Sequence, residues 1–365
     1  MKKQELGSKI LDGYSKHKLL FEGFVKSMEG LLAKHLLEYK TSIHSISHRV
    51  KELESLETKL IKKNNKYGEL CEITDIVGFR IITYYEDTVD LVASSIKEIF
   101  LVDEVNTIDK RKAIDPDRFG YLSLHYIVSL KEDRCNLEEY FVFNNFKFEI
   151  QIRSILQHTW AEIEHDLGYK SKIEIPRDIQ RDFFRLAGLL ELADKEFMSI
   201  RDKTEEYKQI AKTEVESSNP DLIIDIISVS TYIEGNDNVK QLDSLIAKSS
   251  NLKLNEDRLS ETTIRCLKWA GFKSIKEIDE AIVQDRDLCI KLATKILDYK
   301  VNPRIGTGIG LFYLCYAKLV KKQESSLIVK YLAENNIKII DGKDTDTFAN
   351  NLIEIYEEYE LEKDK

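Results

Sequence analysis

The run Phe148-Glu149-Ile150-Gln151-Ile152-Arg153 constrains the fold of this chain more than any other stretch. Apolar and polar side chains alternate strictly, and a period of two is that of a strand with one face buried and the other presented. Phe148, Ile150 and Ile152 therefore share one face, and Glu149, Gln151 and Arg153 share the other. The run passes at once into His158-Thr159-Trp160-Ala161-Glu162-Ile163-Glu164-His165, whose polar groups recur at helical spacing. The expectation is a strand on the ligand side of a sheet, where Glu149 holds a metal or takes a proton.

Periodicity assigns the rest of the first half. Leu19 to Leu37 repeats at three- and four-residue steps, which predicts a helix within residues 1–40. A short strand is expected over Ile43–Val50, a helix over Lys51–Lys63, and the clearest strand over Ile73–Tyr85, with Asp75 inside the run or, as the alternative, a turn residue at the strand start. A helix over Thr88–Phe100 and a short strand over Leu101–Val105 come next. A charged loop follows, Asp109–Gly120, carrying Lys110, Arg111, Lys112 and Arg118, and it leads into a strand from Tyr121 to Val128. Glu139–Val142 and Phe146–Arg153 read as strands joined by a hairpin turn at Asn144-Asn145. Helices over Ile155–Gly168 and Gln180 to about Val215 complete an α+β unit, a mixed sheet of about five strands with helices against it.

Ser217-Ser218-Asn219-Pro220 marks the expected boundary between a domain of residues 1–216 and one of residues 221–365. Beyond it alternation is scarce and short helices dominate, at 221–233, 237–248, 257–269, 274–283, 285–299, 307–320, 324–335 and 345–360. Gly271 and Gly342 read as helix ends or turns. All seven histidines lie at or before His165, so the second half carries no evident catalytic set and reads as a helical regulatory or interaction domain.

Composition narrows the function. A net charge of −9 argues against a broad nucleic-acid coat but leaves room for a local basic pocket. The five cysteines are scattered without a CxxC pair, which argues against a disulfide scaffold or structural zinc and for reduced core thiols in a cytoplasmic protein. No signal peptide and no run of about 18 apolar residues is present, so no membrane partner is expected.

Basic residues cluster in the first half at Arg49, Lys51, Lys59, Arg80, Arg111, Arg118 and Arg153. Such clusters are common surface chemistry. Combined with Asp75 and Glu149, two carboxylates from different strands, they describe a nucleotide held by cations and Mg²⁺, which takes hard oxygen ligands. No Gly-rich Walker loop and no protein-kinase set is present. Tyr121 and His125, four apart, fall on one side of a strand, where Tyr121 stacks on a base and His125 donates to a phosphate, or both are simply satisfied at a sheet edge. Trp160 reads as a core residue. His158, Glu162 and His165 lack HExxH spacing and read as supports for the catalytic strand.

Four blocks in order carry a family resemblance: Arg49-Val50-Lys51 with Ser55 and Lys59; Ile73 to Ile81 with Asp75 and Arg80; Gly120-Tyr121-Leu122-Ser123-Leu124-His125; and Glu149 to Arg153 followed by His158 to Lys170. With its flanking helices this stretch resembles the RelA/SpoT-type nucleotidyltransferase domain, the synthetase of guanosine alarmones. The resemblance implies pyrophosphate transfer from ATP to the 3′-hydroxyl of an acceptor nucleotide. It implies that Arg49 flanks the adenine, that Lys51, Lys59 and Arg80 hold the ATP phosphates, and that Asp75 and Glu149 bind Mg²⁺. Glu149 would also draw the acceptor proton, Tyr121 stack on the acceptor base, and His125 and Gln151 orient its phosphate and sugar. Ser55 and Arg153 complete the nucleotide-binding set.

One loop departs from the family pattern. Asp117 and Phe119 stand where a lysine and a polar residue are common, and a carboxylate there repels the phosphates of GDP or GTP. This version is more similar to the toxic small synthetases of toxin–antitoxin and phage-defence systems, which implies the 3′ end of tRNA, or an adenosine nucleotide, as the alternative acceptor. Lys110, Arg111 and Lys112 would then meet the tRNA backbone. On this resemblance the helical domain would take an antitoxin, a phage protein or a second copy of itself as partner.

Overall fold

A computed structural model of the chain describes residues 2–64, 66–109, 123–170, 176–217, 222–255, 261–297, 304–339 and 344–363. It divides into two units, Met1–Arg201 and Asp202–Lys365. Tyr121, the loop with Lys110, Arg111, Lys112, Asp117, Arg118 and Phe119, residues 218–220 of the boundary run, and Gly342 lie outside the described residues.

The first unit opens with helix α1 (Lys2–His35), then strand β1 (Ile43–Val50), α2 (Leu53–Lys62), β2 (Val77–Thr83), α3 (Glu86–Ile99), β3 (Phe100–Val102), β4 (Ile108–Asp109) and β5 (Leu124–Leu130). The four-residue helix α4 (Glu132–Cys135), β6 (Phe148–Ser154), α5 (Ile155–Lys170) and the long α6 (Arg177–Glu216) follow, α6 running past Arg201. The sheet is mixed and flanked by helices. Five strands lie in the order β1-β2-β6-β5-β3, with the two-residue β4 paired to β5. β6 is central, parallel to β2 and antiparallel to β5.

Burial explains this centrality. Phe148, Ile150 and Ile152 are fully buried. Phe148 meets Phe24 of α1, Phe79 of β2 and Phe100 of β3 edge-on at ring distances of 5.0, 5.8 and 5.3 Å. Such pairs add to the burial of the rings themselves. α1 contributes its Phe21, Phe24, Val25, Met28 and Leu32 stripe to the same core.

Some expectations need correction. Asp75 precedes β2 in a turn instead of lying within the strand. Its carboxylate is drawn to two lysines, while the Lys51 amide bonds to the Ile76 carbonyl and carries the β1 pairing one residue further. Residues 139–142 form no strand. Phe141–Phe143 is a single 3₁₀ turn in which Phe141 and Val142 face solvent and Phe143 packs on Phe24. Asn145 takes a left-handed φ of 59°, but its turn leads out of that 3₁₀ segment and closes no hairpin.

The second unit is built from α7 (Ile226–Gly235), α8 (Asp237–Ser249), α9 (Glu261–Trp269), α10 (Ile275–Ile296), α11 (Ile309–Val320), α12 (Ser325–Glu334) and α13 (Thr345–Lys363) around one apolar core. The helices expected at 274–283 and 285–299 are one helix, α10. Asp285, beside the junction expected between them, is buried and accepts from Lys321 Nζ at 2.5 Å. Two three-residue strands escaped the periodicity reading, β7 (Lys253–Asn255) and β8 (Arg304–Gly306), paired in parallel. Cys266, Cys289 and Cys315 are buried free thiols in this core, Cys135 is buried in the first unit, and Cys71 is exposed. Among the described residues no helix is long and apolar enough to cross a membrane.

β8 passes directly into the start of α11 through Gly306-Thr307-Gly308-Ile309-Gly310. Gly308 has φ +83°, and a Cβ on Gly310 would stand 2.7 Å from Leu242 Cδ2. The bare backbone lets Asp243 of α8 reach the helix start, where its carboxylate accepts from the Gly308 and Gly310 amides at 2.6 and 2.7 Å. Two otherwise orphaned helix donors are thereby satisfied. Burial raises the Asp243 carboxyl to about 6, against the pull of those two amides. Because the folded value exceeds the unfolded one, its stabilising contribution is whole below about 4 and is lost as pH rises through about 6. The stability of the native chain relative to Asp243→Asn is expected to fall by on the order of 3 kcal/mol over that window. Urea unfolding followed by Trp269 fluorescence in a Trp160→Phe background checks it; a flat difference would refute the buried carboxyl.

Candidate active site

The register across the sheet assembles the polar face. Arg49 of β1 lies opposite Gly78 of β2, and Gly78 opposite Glu149 of β6. One step along, Ser47, Arg80, Gln151 and His125 form the next row across four strands. Gly78 is the open position in the first row. A Cβ there would meet Arg49 Nε at 3.7 Å and Glu149 Oε2 at 3.9 Å, so the missing side chain leaves these two groups flanking bare backbone.

Glu149 is held from both sides. His125 Nδ1 lies 2.8 Å from its Oε1, and the Gln151 amide donates to its Oε2 at 2.8 Å. Arg153 in turn donates to the Gln151 carbonyl oxygen. That contact fixes the Gln151 amide with its nitrogen toward Glu149. Burial alone would push the Glu149 carboxyl up. The His125 hydrogen bond and charge, the Gln151 amide and the Arg49 charge outweigh it and bring the group down to about 2. On its other side, His125 Nε2 is buried with no hydrogen-bond partner among the described residues. A buried polar atom left open in this way suits an incoming polar group.

A second group stands beside the first. Asp75 accepts from Lys59 Nζ at 2.7 Å and pairs with Lys51 Nζ at 3.1 Å. Lys51 and Lys59 line an open cleft along α2 together with Ser55, Thr58, Lys62 and Lys63. Arg49 and Arg80 line a narrower pocket with Ser47, His48, Gly78 and Gln151. Arg80 Nη1 pairs with Glu162 of α5 at 2.9 Å. His158 Nδ1 lies 3.7 Å from the same carboxylate, and burial with the Arg153 and Arg80 charges lowers the His158 pKa. His165 is exposed, and Trp160 is a core residue whose Nε1 donates to the Phe183 carbonyl.

The structure thus brings Arg49, Arg80, His125, Glu149, Gln151 and Arg153 together, and Lys51, Ser55, Lys59 and Asp75 together. Asp75 precedes Gly78 by three residues, at most about 10 Å of chain. Among the described residues no group of three or more His, Cys, Asp or Glu is placed to hold a metal. Two carboxylates with hard oxygens nonetheless fit Mg²⁺, which keeps several waters and takes one or two carboxylates beside substrate phosphates. Lys62 and Lys63 were not singled out from the sequence, although their spacing from Lys59 puts them on the same helix side. Ser47 also follows from the period of β1.

Residues 48–174 match the family described as the region found in RelA/SpoT proteins. Over these residues the chain is similar in sequence to RelA/SpoT proteins. It is 29% identical over 176 residues to the GTP pyrophosphokinase YwaC of Bacillus subtilis (strain 168), covering 46% of this chain and 78% of that protein. To the GTP pyrophosphokinase YjbM of the same organism it is 28% identical over 177 residues, covering 47% and 79%. Among solved structures, the small alarmone synthetase 1 from Bacillus subtilis is 25% identical, with a TM-score of 0.45, over 53% of this chain and 99% of that one. The RelA/SpoT region contains both polar groups described above and ends before α6.

The low Glu149 value carries a test. Its folded pKa is depressed from 4.5, so its stabilising contribution is whole above about pH 4.5 and is lost as pH falls through about 2. Native protein is expected to exceed Glu149→Gln in stability by on the order of 3 kcal/mol at pH 7, the gap closing toward pH 2. Urea unfolding of both forms across this range measures it. A gap independent of pH would mean that the carboxylate is not held as described.

Proposed function

We propose that the RelA/SpoT region transfers pyrophosphate from ATP to the 3′-hydroxyl of an acceptor nucleotide, in a Mg²⁺-dependent reaction. The observation that carries this reading is the half-buried Glu149 carboxylate, clamped by His125 and Gln151 beside the opening at Gly78. Mg²⁺, when bound, would be held by Asp75 and Glu149 and would neutralise charge on the transferred phosphates. Lys51, Lys59 and Arg80 bind the ATP phosphates by exchanging their present carboxylate partners for phosphate oxygens, and Ser55 lies beside the two lysines. Arg49 flanks the adenine. His125 orients the acceptor, with Nε2 turned toward it, Gln151 and Arg153 fix the Glu149 carboxylate, and Tyr121 stacks on the acceptor base. A carboxyl held near 2 is a weak proton acceptor, which favours metal holding over proton removal as the role of Glu149.

The acceptor is GDP or GTP in the first reading, supported by the names of the two Bacillus relatives. Asp117 and Phe119 favour the second, the 3′ end of tRNA. Residues 221–365 act as the regulatory or interaction domain of this enzyme. The alternative class, a nucleotide sensor without turnover on the same fold, is disfavoured by the coexistence of Asp75 and Glu149.

Incubation with γ-labelled ATP and either GDP or bulk tRNA reads the acceptor directly from the species that takes up label. Asp75→Asn or Glu149→Gln is expected to lower transfer by at least about 100-fold with unchanged circular dichroism, since each removes several kcal/mol of charge stabilisation. Undiminished transfer in either variant would remove that residue from the site, and ATP binding without label transfer to any acceptor would favour the sensor.

A further inference from the structure

A side chain from outside the RelA/SpoT region reaches the candidate site. Tyr14 of α1 is 3% exposed, its ring packs on Phe21 at 5.5 Å, and its hydroxyl donates to the Lys51 carbonyl at 2.5 Å. Burial, with the charges of Glu52 and Glu22, holds the phenol above its ordinary pKa, so it stays a donor. The Lys51 amide is bonded too, to the Ile76 carbonyl at 2.8 Å. Both backbone groups of this one residue are therefore fixed by partners distant in sequence. Only Lys51 and Glu52 lie between β1 and α2. A helix start is commonly set by a side-chain cap. Glu52, at the N-cap of α2, makes no such bond. The Tyr14 hydroxyl supplies from α1 the fixed point that the local sequence lacks.

We propose, resting on the ATP reading given above, that Tyr14 is a positioning residue: its bond to the Lys51 carbonyl sets where the Lys51 ammonium meets the ATP phosphates. The Lys51 side chain is 13% exposed, and its Nζ lies 3.1 Å from Asp75. A lysine carries its charge on a flexible four-carbon stem, so its aim depends on how firmly its root is held. Groups that bind a ligand are held in place by the hydrogen bonds behind them. A phenylalanine at position 14 would fill nearly the same space in the core of α1. What the hydroxyl adds is the bond to a carbonyl, and that carbonyl belongs to a residue of the site. Helix α1 thereby bears on the affinity of a site whose named residues all come from other elements.

Binding of ATP with Mg²⁺ to the full chain, measured by titration calorimetry, tests this. Tyr14→Phe is expected to weaken binding roughly five- to tenfold, the loss that one hydrogen bond of ordinary net strength accounts for. In a Lys51→Met background the same substitution should cost less than about twofold, because a role played through Lys51 disappears with its ammonium, whereas a structural loss would add in full. Met28→Ala, a change in the buried stripe of the same helix that leaves the carbonyl bond in place, should lower the melting temperature more than Tyr14→Phe and leave ATP affinity unchanged. Without ligand, Tyr14→Phe should also speed hydrogen exchange over residues 51–56, read by mass spectrometry. A native chain that binds no ATP would overturn the reading of the site and this role with it. A native chain that binds ATP no better than Tyr14→Phe does would overturn the role alone. So would losses that add in the Lys51→Met background, or exchange over residues 51–56 that does not change.

Discussion

The first unit depends on the burial of one face of β6. Phe148, Ile150 and Ile152 are fully removed from water, and Phe148 alone touches aromatic rings from α1, β2 and β3. A slip of one residue would expose all three and bury Glu149, Gln151 and Arg153 in their place. Each apolar side chain is worth roughly 1.5–3 kcal/mol on burial. The register is therefore set by hydrophobic free energy, and the polar row is positioned as its consequence. Glu149 faces Gly78 and Gln151 faces Arg80 because the opposite face of the strand has nowhere else to go.

That row solves a problem of its own. A carboxylate with little access to water would ordinarily take up a proton. Glu149 stays ionised because a histidine, an amide and an arginine charge converge on it. Removing one partner would leave the desolvation cost uncompensated, which is why such networks hold together or fail together. The chain Arg153–Gln151–Glu149–His125 runs along one strand and across to its neighbour, so the rigidity of the sheet passes directly into the orientation of the carboxylate.

Much of this was legible in the sequence. Strict alternation marked β6, and its polar members are the ones that converge. Ser55 and Lys59, named from the family resemblance, line one cleft along α2. Asp75 was harder. A β-prone run hides a turn when its polar residue is drawn out of register by side-chain partners, here Lys51 and Lys59, that local pattern does not reveal. Residues 139–142 misled in another way. Aromatic residues suggest a strand, yet the neighbours Phe141 and Val142 both face solvent, Phe143 is buried, and the segment turns as a 3₁₀ piece. The break expected between 283 and 285 is the reverse error: the helix runs on, and Asp285 beside that point is held inside the core by Lys321. Partners distant in sequence decide all three cases.

The cations of the candidate site also have partners already. Lys51 and Lys59 share Asp75, and Arg80 holds Glu162. On the proposed function, a phosphate-bearing ligand would displace carboxylates from lysine and arginine instead of entering a site of bare positive charge. Such an exchange would keep each cation paired throughout, so neither state would carry an uncompensated charge in a partly buried place. It would also free the Asp75 oxygens as the phosphates arrive. On that proposal the carboxylate released by the two lysines would be the one available to a divalent ion accompanying the nucleotide, which would tie occupation of the cleft to the holding of the ion.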